Sequence, residues 1–427
     1  MPVEAQTEGI FTYGAPHLKF GPGASAEIGY ELAQLGARRV LFVTDRGVEA
    51  TGAPDRIAAQ VRADGLEVVV FADVHVEPTD ASLELAVRFG RENGPFDAVV
   101  AIGGGSSIDT AKAVNLLTTN PGELMDYVNV PVGLGRAPDN ALAPMIAVPT
   151  TTGTGSESTT ICVLDVLSQH VKTGISHPRL RPGLAVVDPE LTLTQPTGVT
   201  AAAGMDILCH ALESYTARPY TAYERKRADQ RVPYCGANPI ADMWAEKALS
   251  LMSTAFRAAV RDGSDLEART QVAMAATFAG MGFGNAGVHV PHANAYPIAG
   301  QVKDFHPSDY PDEEPMVPHG MAVSLTAPEA FRFTFDAAPE RHVRAAQILD
   351  PDARTPADPA GLLPDVLTRL MRDIGLPAGI GAVGFGESDV DGLVEGTMKQ
   401  QRLLATAPKD VTGEDVAKIL TASIELW

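Results

Sequence analysis

The chain has 427 residues, with apolar residues at 45% and charged residues at 20%. That length allows two to three domains of roughly 150 residues, and the balance is that of an ordinary enzyme, which excludes disorder over most of the chain. A formal net charge of −20 and a pI of about 4.9 leave no broad basic face, which excludes nucleic acid as a partner.

The N-terminus, MPVEAQTEGIF, is acidic and lacks an apolar h-region, so no secretory signal is expected. Residues 1–16 hold no Arg or Lys, which speaks against a retained mitochondrial presequence. The cysteines, Cys162, Cys209 and Cys235, show no CxxC spacing and fit a reducing compartment. A cytoplasmic location is expected. Apolar runs at Val40–Thr44, Val68–Phe71, Ala98–Ile102 and Met145–Pro149 read as buried strands, with helical patterns over 48–63 and 80–92 between them. Such alternation predicts a parallel sheet covered on both faces. Ile161–Val166 and His170–Ile175 read as an appended hairpin.

After Asp188-Pro189 helical signatures dominate, over 199–216, 239–262, 265–284, 319–331, 340–349 and from 360 to the end. The boundary is placed near Leu193–Pro196, giving an α/β domain over 1–194 and a helical domain over 195–427. The uncharged run Thr270–Val302 has the length of a membrane span. Asn285, His289, Pro291, His292, Asn294 and Pro297 within it predict instead a buried helix running into an active-site turn, and no membrane.

The strand at 98–102 runs into Gly103-Gly104-Gly105-Ser106 and then a helix. Three glycines admit a phosphate to the backbone, and the helix N-terminus offers free N–H donors. The same residues also suit a plain tight turn, with Ser106 as N-cap and Asp109 completing a capping pair. The loop Pro149–Glu157, rich in Thr and Gly, either flanks a phosphate or nicotinamide or is a flexible connection. Asp45, at a strand end, either binds ribose hydroxyls and repels a 2′-phosphate or caps a helix. Asp206 and His210 stand four apart on one helix face. With His292 and His319 they form a carboxylate and three imidazoles that suit a divalent metal with positions open to substrate. His289 is a competing neighbour, and the Asp–His pair alone also fits a simple hydrogen bond.

Taken together, GGGSSIDTAK, PTTTGTGSE, GMDILCHALE and the late PHG resemble the iron-containing, group III alcohol dehydrogenase family, from about Phe11 onward. The resemblance implies an N-terminal α/β domain with a parallel, Rossmann-like dinucleotide-binding sheet. It implies an all-α C-terminal metal-binding domain of the dehydroquinate synthase-like fold. It makes Asp206, His210, His292 and His319 the metal ligands. Gly103, Gly104, Gly105, Ser106 and Asp109 would line a pyrophosphate site, and Thr150, Thr151 and Thr154 would contact the cofactor. The expected cofactors are a divalent metal, Fe(II) ahead of Zn, and tightly held NAD or NADP.

Two departures from the family pattern stand out. Tyr296 replaces the family's histidine four residues after the third ligand, and the segment Arg218–Pro239 is inserted. With VEPTD, DLEAR and NAGVHVPHANAYPIAG, these resemble the hydroxyacid–oxoacid transhydrogenase branch. That branch moves a hydride from a hydroxyacid such as 4-hydroxybutyrate to 2-oxoglutarate. Tyr296 or His289 would relay the proton. The cationic insertion reads either as a solvated surface loop or as a clamp for the substrate carboxylate, with Arg231 the first candidate and Lys303 the second. The expected partners are these small molecules and a second copy of the chain in a homodimer. An ordinary NAD(P)-dependent alcohol dehydrogenase, a dehydroquinate synthase-like lyase and a non-catalytic nucleotide binder are the competing readings.

Overall fold

The computed structural model describes residues 7–169, 171–310 and 314–427, and it divides into two compact units. One is Ala15–Gln195; the other is Pro196–Trp427 with the N-terminal segment up to Gly14.

The first unit carries β1 (His17–Phe20), β2 (Arg39–Val43), β3 (Glu67–Phe71), β4 (Ala98–Gly103), β5 (Met145–Pro149), β6 (Ile161–Val166), β7 (Val171–Ser176) and β8 (Leu184–Val187). Six of them form one sheet in the order β1-β8-β5-β4-β2-β3. Every pairing in it is parallel. The expected hairpin is β6–β7, antiparallel and separate from the sheet; His170, where its second strand was expected to begin, lies outside the described residues.

Side chains alternate across each strand, so both faces need cover. Leu41, Val43, Val99 and Ala101 pack on one side with Ile108, Leu116 and Leu83. Val40, Phe42, Val100 and Ile102 pack on the other with Ile28 and Ile57. Two strands, β1 and β8, were not expected. β1 (HLKF) is a half-exposed edge strand without an apolar run, and β8 has only four residues. The register Val43↔Ala101 and Gly103↔Pro149 brings the ends of β2, β4 and β5 to one edge of the sheet. Asp45, the glycine turn and the threonine loop therefore share the carboxyl edge, where ligands bind in open α/β sheets.

The second unit is helical. Thr197–Thr216, Pro239–Arg261 and Leu266–Ala286 bury Met205, Leu208 and Leu212 against Leu249, Met252, Phe256 and Val272. Gly204 permits that approach, since a Cβ there would stand 2.0 Å from the Phe256 ring. The uncharged run falls on Leu266–Ala286 and Val290–Gly300. No helix of the described residues is long and apolar enough to cross a membrane. His292, expected in a turn, lies inside Val290–Gly300. The helix expected over 319–331 is two, His319–Ser324 and Ala327–Thr334, with Pro328 in the first turn of the second.

Residues 1–14 were expected with the α/β domain. Residues 7–14 pair instead with the helical unit, and residues 1–6 lie outside the described residues. Glu8 N donates to Tyr223 O at 2.8 Å. Gly14 N donates to Asn285 Oδ1 at 2.9 Å, and Asn285 Nδ2 returns a bond to Gly14 O at 3.0 Å.

Candidate nucleotide and metal sites

In the α/β unit, β4 ends at Gly103, whose φ of 157° is one that side chains avoid. A Cβ there would lie 2.3 Å from Ser107 Oγ. One at Gly104 would lie 2.9 Å from Thr151 Oγ1, and one at Gly105 2.8 Å from Thr154 Cγ2. The threonine loop thus lies directly against the glycine turn, so two motifs far apart in sequence form one surface. The helix Gly105–Thr119 has Gly104 as N-cap and no side-chain cap. The expected capping pair of Ser106 and Asp109 is absent, because Ser106 lies inside the helix and both side chains are engaged elsewhere. Ser106 Oγ accepts from Glu77 N at 3.1 Å, and Ser107 Oγ donates to Asp45 Oδ2 at 3.1 Å. Asp45 is also a cap, its Oδ1 accepting from Val48 N at 2.9 Å. Thr150 Oγ1 is buried and has no hydrogen-bond partner among the described residues.

Asp109 does not line this surface with its carboxylate. Its Oδ1 accepts from Ser156 Oγ at 2.5 Å and its Oδ2 from Val163 N at 2.8 Å. The reason lies in its neighbour Lys112, which the sequence reading passed over. Lys112 is fully buried, and its Nζ donates to Ser156 O at 2.8 Å, Thr159 Oγ1 at 3.0 Å and Ile161 O at 2.7 Å. Burial pulls its pKa down, and Asp109 opposes that. Asp109 and Lys112 together fasten the threonine loop to the helix.

In the helical unit, Thr197–Thr216 presents Asp206, His210 and Glu213 at i, i+4 and i+7, on one face. His292 comes from Val290–Gly300, and His319 opens His319–Ser324. Gly320 lets that last helix lie close, since a Cβ there would stand 2.1 Å from Ala202 O and 2.9 Å from Asp206 Cβ. Asp206 Oδ1 is 3.4 Å from His292 Nε2, 3.7 Å from His210 Nε2 and 3.9 Å from His319 Nε2. The His210 ring stacks on Phe283 at 3.8 Å and faces His292 at 4.6 Å.

Among the described residues, Asp206 Oδ1 and His292 Nε2 are buried with no hydrogen-bond partner. Orphaned buried polar atoms are costly. The donor atoms of Asp206, His292 and His319 all lie within 4.8 Å of one another, so a dication among them would satisfy both and these three residues fit a metal; His210, its Nε2 3.7 Å from Asp206 Oδ1, borders the group. The electrostatics of Asp206 and His210 agree, and His292 would have to give up a proton. Burial disfavours the Asp206 charge, yet His210, His319 and His292 outweigh it and hold the carboxyl well below its usual range. Burial drives His210 down to about 3, the neutral form a ligand needs. Burial also opposes charge on His292, but Glu213 and then Asp206 lift it to about 9.

Glu213 was not foreseen, although it occupies the same helix face as Asp206 and His210 before it. Its Oε1 accepts from His289 N at 2.7 Å and His292 N at 3.3 Å, and its Oε2 sits 2.5 Å from His292 Nδ1. Tyr296 is nearly buried, its ring 6.3 Å from that of His319. His289 stands apart, its Nε2 3.0 Å from Thr216 Oγ1 and burial lowering its pKa to about 4.

The structure gives the two cations named for the carboxylate clamp other partners. Arg231 Nη1 donates to Glu8 Oε2 at 2.8 Å and Ile10 O at 2.9 Å, and Nη2 donates to Lys226 O at 3.1 Å. Buried Glu8 needs that cation: the Lys226 N–H and then the Arg231 guanidinium hold its pKa at about 2. Lys303 is 49% exposed and donates to Asp389 Oδ2 at 2.8 Å and Gly384 O at 3.1 Å.

The model of the iron-containing alcohol dehydrogenase family matches residues 15–189, and that of the C-terminal part of the Fe-containing alcohol dehydrogenase family matches residues 232–424. A mouse (Mus musculus) protein named hydroxyacid-oxoacid transhydrogenase, mitochondrial, is 42% identical over 98% of this chain and 90% of its own length. The human (Homo sapiens) protein of the same name is 41% identical over 99% and 91%. Among solved structures, a 1,3-propanediol oxidoreductase superposes with a TM-score of 0.84 at 31% identity, over 97% of this chain and 100% of its own. The mitochondrial location in the relatives' names overturns the cytoplasmic expectation. That expectation rested on charge in the first residues, which is a weak guide to targeting.

Proposed function

The chain belongs to the iron-containing alcohol dehydrogenase family, in its hydroxyacid–oxoacid transhydrogenase branch, and from that premise we propose how its residues carry the reaction. It is an oxidoreductase acting on CH–OH groups, passing a hydride from a hydroxyacid to an oxoacid. The proposed pair is 4-hydroxybutyrate and 2-oxoglutarate, giving succinate semialdehyde and 2-hydroxyglutarate. The compartment follows the relatives and is mitochondrial.

The family uses a divalent metal and NAD(H). Asp206, His210, His292 and His319 would hold the metal, with Fe(II) preferred to Zn. When bound, a metal there supplies Lewis acidity to the substrate hydroxyl. The observation that carries this reading is the unpartnered Asp206 Oδ1 facing an unpartnered His292 Nε2 at 3.4 Å. Tyr296, beside His319, is the proposed proton relay. Its phenol hydroxyl can both donate and accept a hydrogen bond. His289 is held by Thr216 and kept neutral by burial, so it supports the turn before His292 rather than moving the proton.

Gly103, Gly104 and Gly105 with the uncapped helix N-terminus would take the pyrophosphate. Thr150, Thr151 and Thr154 would face the cofactor from the adjoining loop. Asp45, next to Ser107 at the end of β2, would favour NAD over NADP by like-charge repulsion of a 2′-phosphate. When bound between the glycine turn and the threonine loop, a nicotinamide nucleotide would supply the hydride-carrying chemistry for both substrates.

The test is His210→Ala and His292→Ala, with metal content and turnover measured on the same preparations. Both should lose most of the metal and nearly all turnover while remaining folded. Full metal and full rate in either variant rejects the ligand set.

A further inference from the structure

The helix that supplies Asp206 and His210 carries one more buried acid, and its contacts are unlike those of an ordinary core residue. Glu213 is fully buried, yet it makes no ion pair with Lys or Arg among the described residues. Its two oxygens are divided. Oε1 accepts the backbone N–H groups of His289 and His292, at 2.7 and 3.3 Å. Oε2 lies 2.5 Å from His292 Nδ1. One side chain therefore fixes both the start of the helix Val290–Gly300 and the ring of its third residue.

The chemistry of imidazole gives this arrangement a consequence. A neutral imidazole has one N–H and one lone pair. With its Nδ1–H bonded to Glu213, the proton that a binding metal would displace from His292 is the one on Nε2, and the lone pair is left there. That is the nitrogen facing Asp206 Oδ1 at 3.4 Å. We propose that Glu213 is the positioning residue of the metal site, selecting the tautomer and orientation of His292 that place its Nε2 lone pair among the ligands. This rests on the four-residue metal reading above. Glu213 acts through His292 and touches neither metal nor substrate.

The prediction is read as metal affinity, not as turnover. The full-length chain is stripped of metal with chelator, and Co(II) is titrated into wild type, Glu213→Gln, Glu213→Asp and His292→Ala, following the Co(II) ligand-field absorption. Thermal melting of each metal-free protein is measured alongside. Losing a carboxylate that orients a metal-bound histidine weakens affinity by about 10- to 100-fold. Glu213→Gln is expected in that range with shifted Co(II) bands, and its metal-free form should melt close to metal-free wild type. Glu213→Asp keeps the charge but shortens its reach, so it should also bind more weakly than wild type.

Co(II) affinity within twofold of wild type in both Glu213 variants, while His292→Ala has lost it, overturns the proposal and leaves the metal site standing. A large fall in the metal-free melting temperature that tracks the loss of affinity makes Glu213 an ordinary core group, and also overturns it. Undiminished Co(II) binding in His292→Ala rejects the metal reading itself, and Glu213 with it.

Discussion

The grouping of Asp206, His210, His292 and His319 was legible because their residue types are scarce and chemically committed; the structure brings these side chains together, and the metal they would hold is the proposal above. A carboxylate and three imidazoles on apolar ground have few other uses. Arg231 was not legible in this way. A cation's partner is set by tertiary structure, and here it is Glu8, 223 residues earlier in the chain. The contact with Glu8 sets the expected outcome of Arg231→Met. It should lower stability and reduce activity on acids and on an uncharged alcohol such as 1-butanol alike, checked by melting and by assays on both substrates. The same pair sets a pH dependence. The folded pKa of Glu8 is about 2, below its ordinary value of 4.5. A depressed carboxyl stabilises the fold above the ordinary pKa, and that contribution is lost as pH falls from about 4.5 towards 2. Melting temperatures across this window should fall less steeply in Glu8→Gln than in wild type. An equal slope in the two proteins would remove Glu8 from the acid response.

Elements were legible where pattern and burial coincide. The strands β2, β4 and β5 are continuous apolar runs, and their ends carry the motifs. The edge strand β1 was missed because its pairing with β8, not its composition, makes it a strand. The joints between elements were the least visible, and they carry two predictions. Gly320→Ala would press a methyl group onto Ala202 O and Asp206 Cβ. Overpacking of this kind costs about 1–3 kcal/mol. The helix that begins with His319 should move, so metal affinity should drop along with the melting temperature. Lys112→Met leaves Asp109 buried without its cation. Breaking a buried pair costs about 3–5 kcal/mol. The threonine loop should loosen, and NAD⁺ titration should show weaker binding. Unchanged nucleotide affinity would make the network a core feature with no bearing on the cofactor.

At the scale of the whole molecule, the α/β unit and the helical unit were both expected, because strand–helix alternation gives way to helical periodicity near Pro196. The N-terminal segment was misassigned, since nothing in residues 7–14 announces their bonds to Tyr223 and Asn285. The compartment was misjudged because it is written in targeting signals rather than in the physics of the fold. The substrate pair rests on the branch to which the chain belongs, and the reaction can be followed atom by atom. The decisive measurement uses 4-hydroxybutyrate deuterated at C4, with 2-oxoglutarate and no added nucleotide, on enzyme freed of unbound cofactor. Mass spectrometry of the 2-hydroxyglutarate should find one deuterium per molecule formed, at a rate that added NAD⁺ does not raise. Deuterium that appears only in free NADH after NAD⁺ is added, and never in 2-hydroxyglutarate, would contradict the transfer and leave an ordinary dehydrogenase.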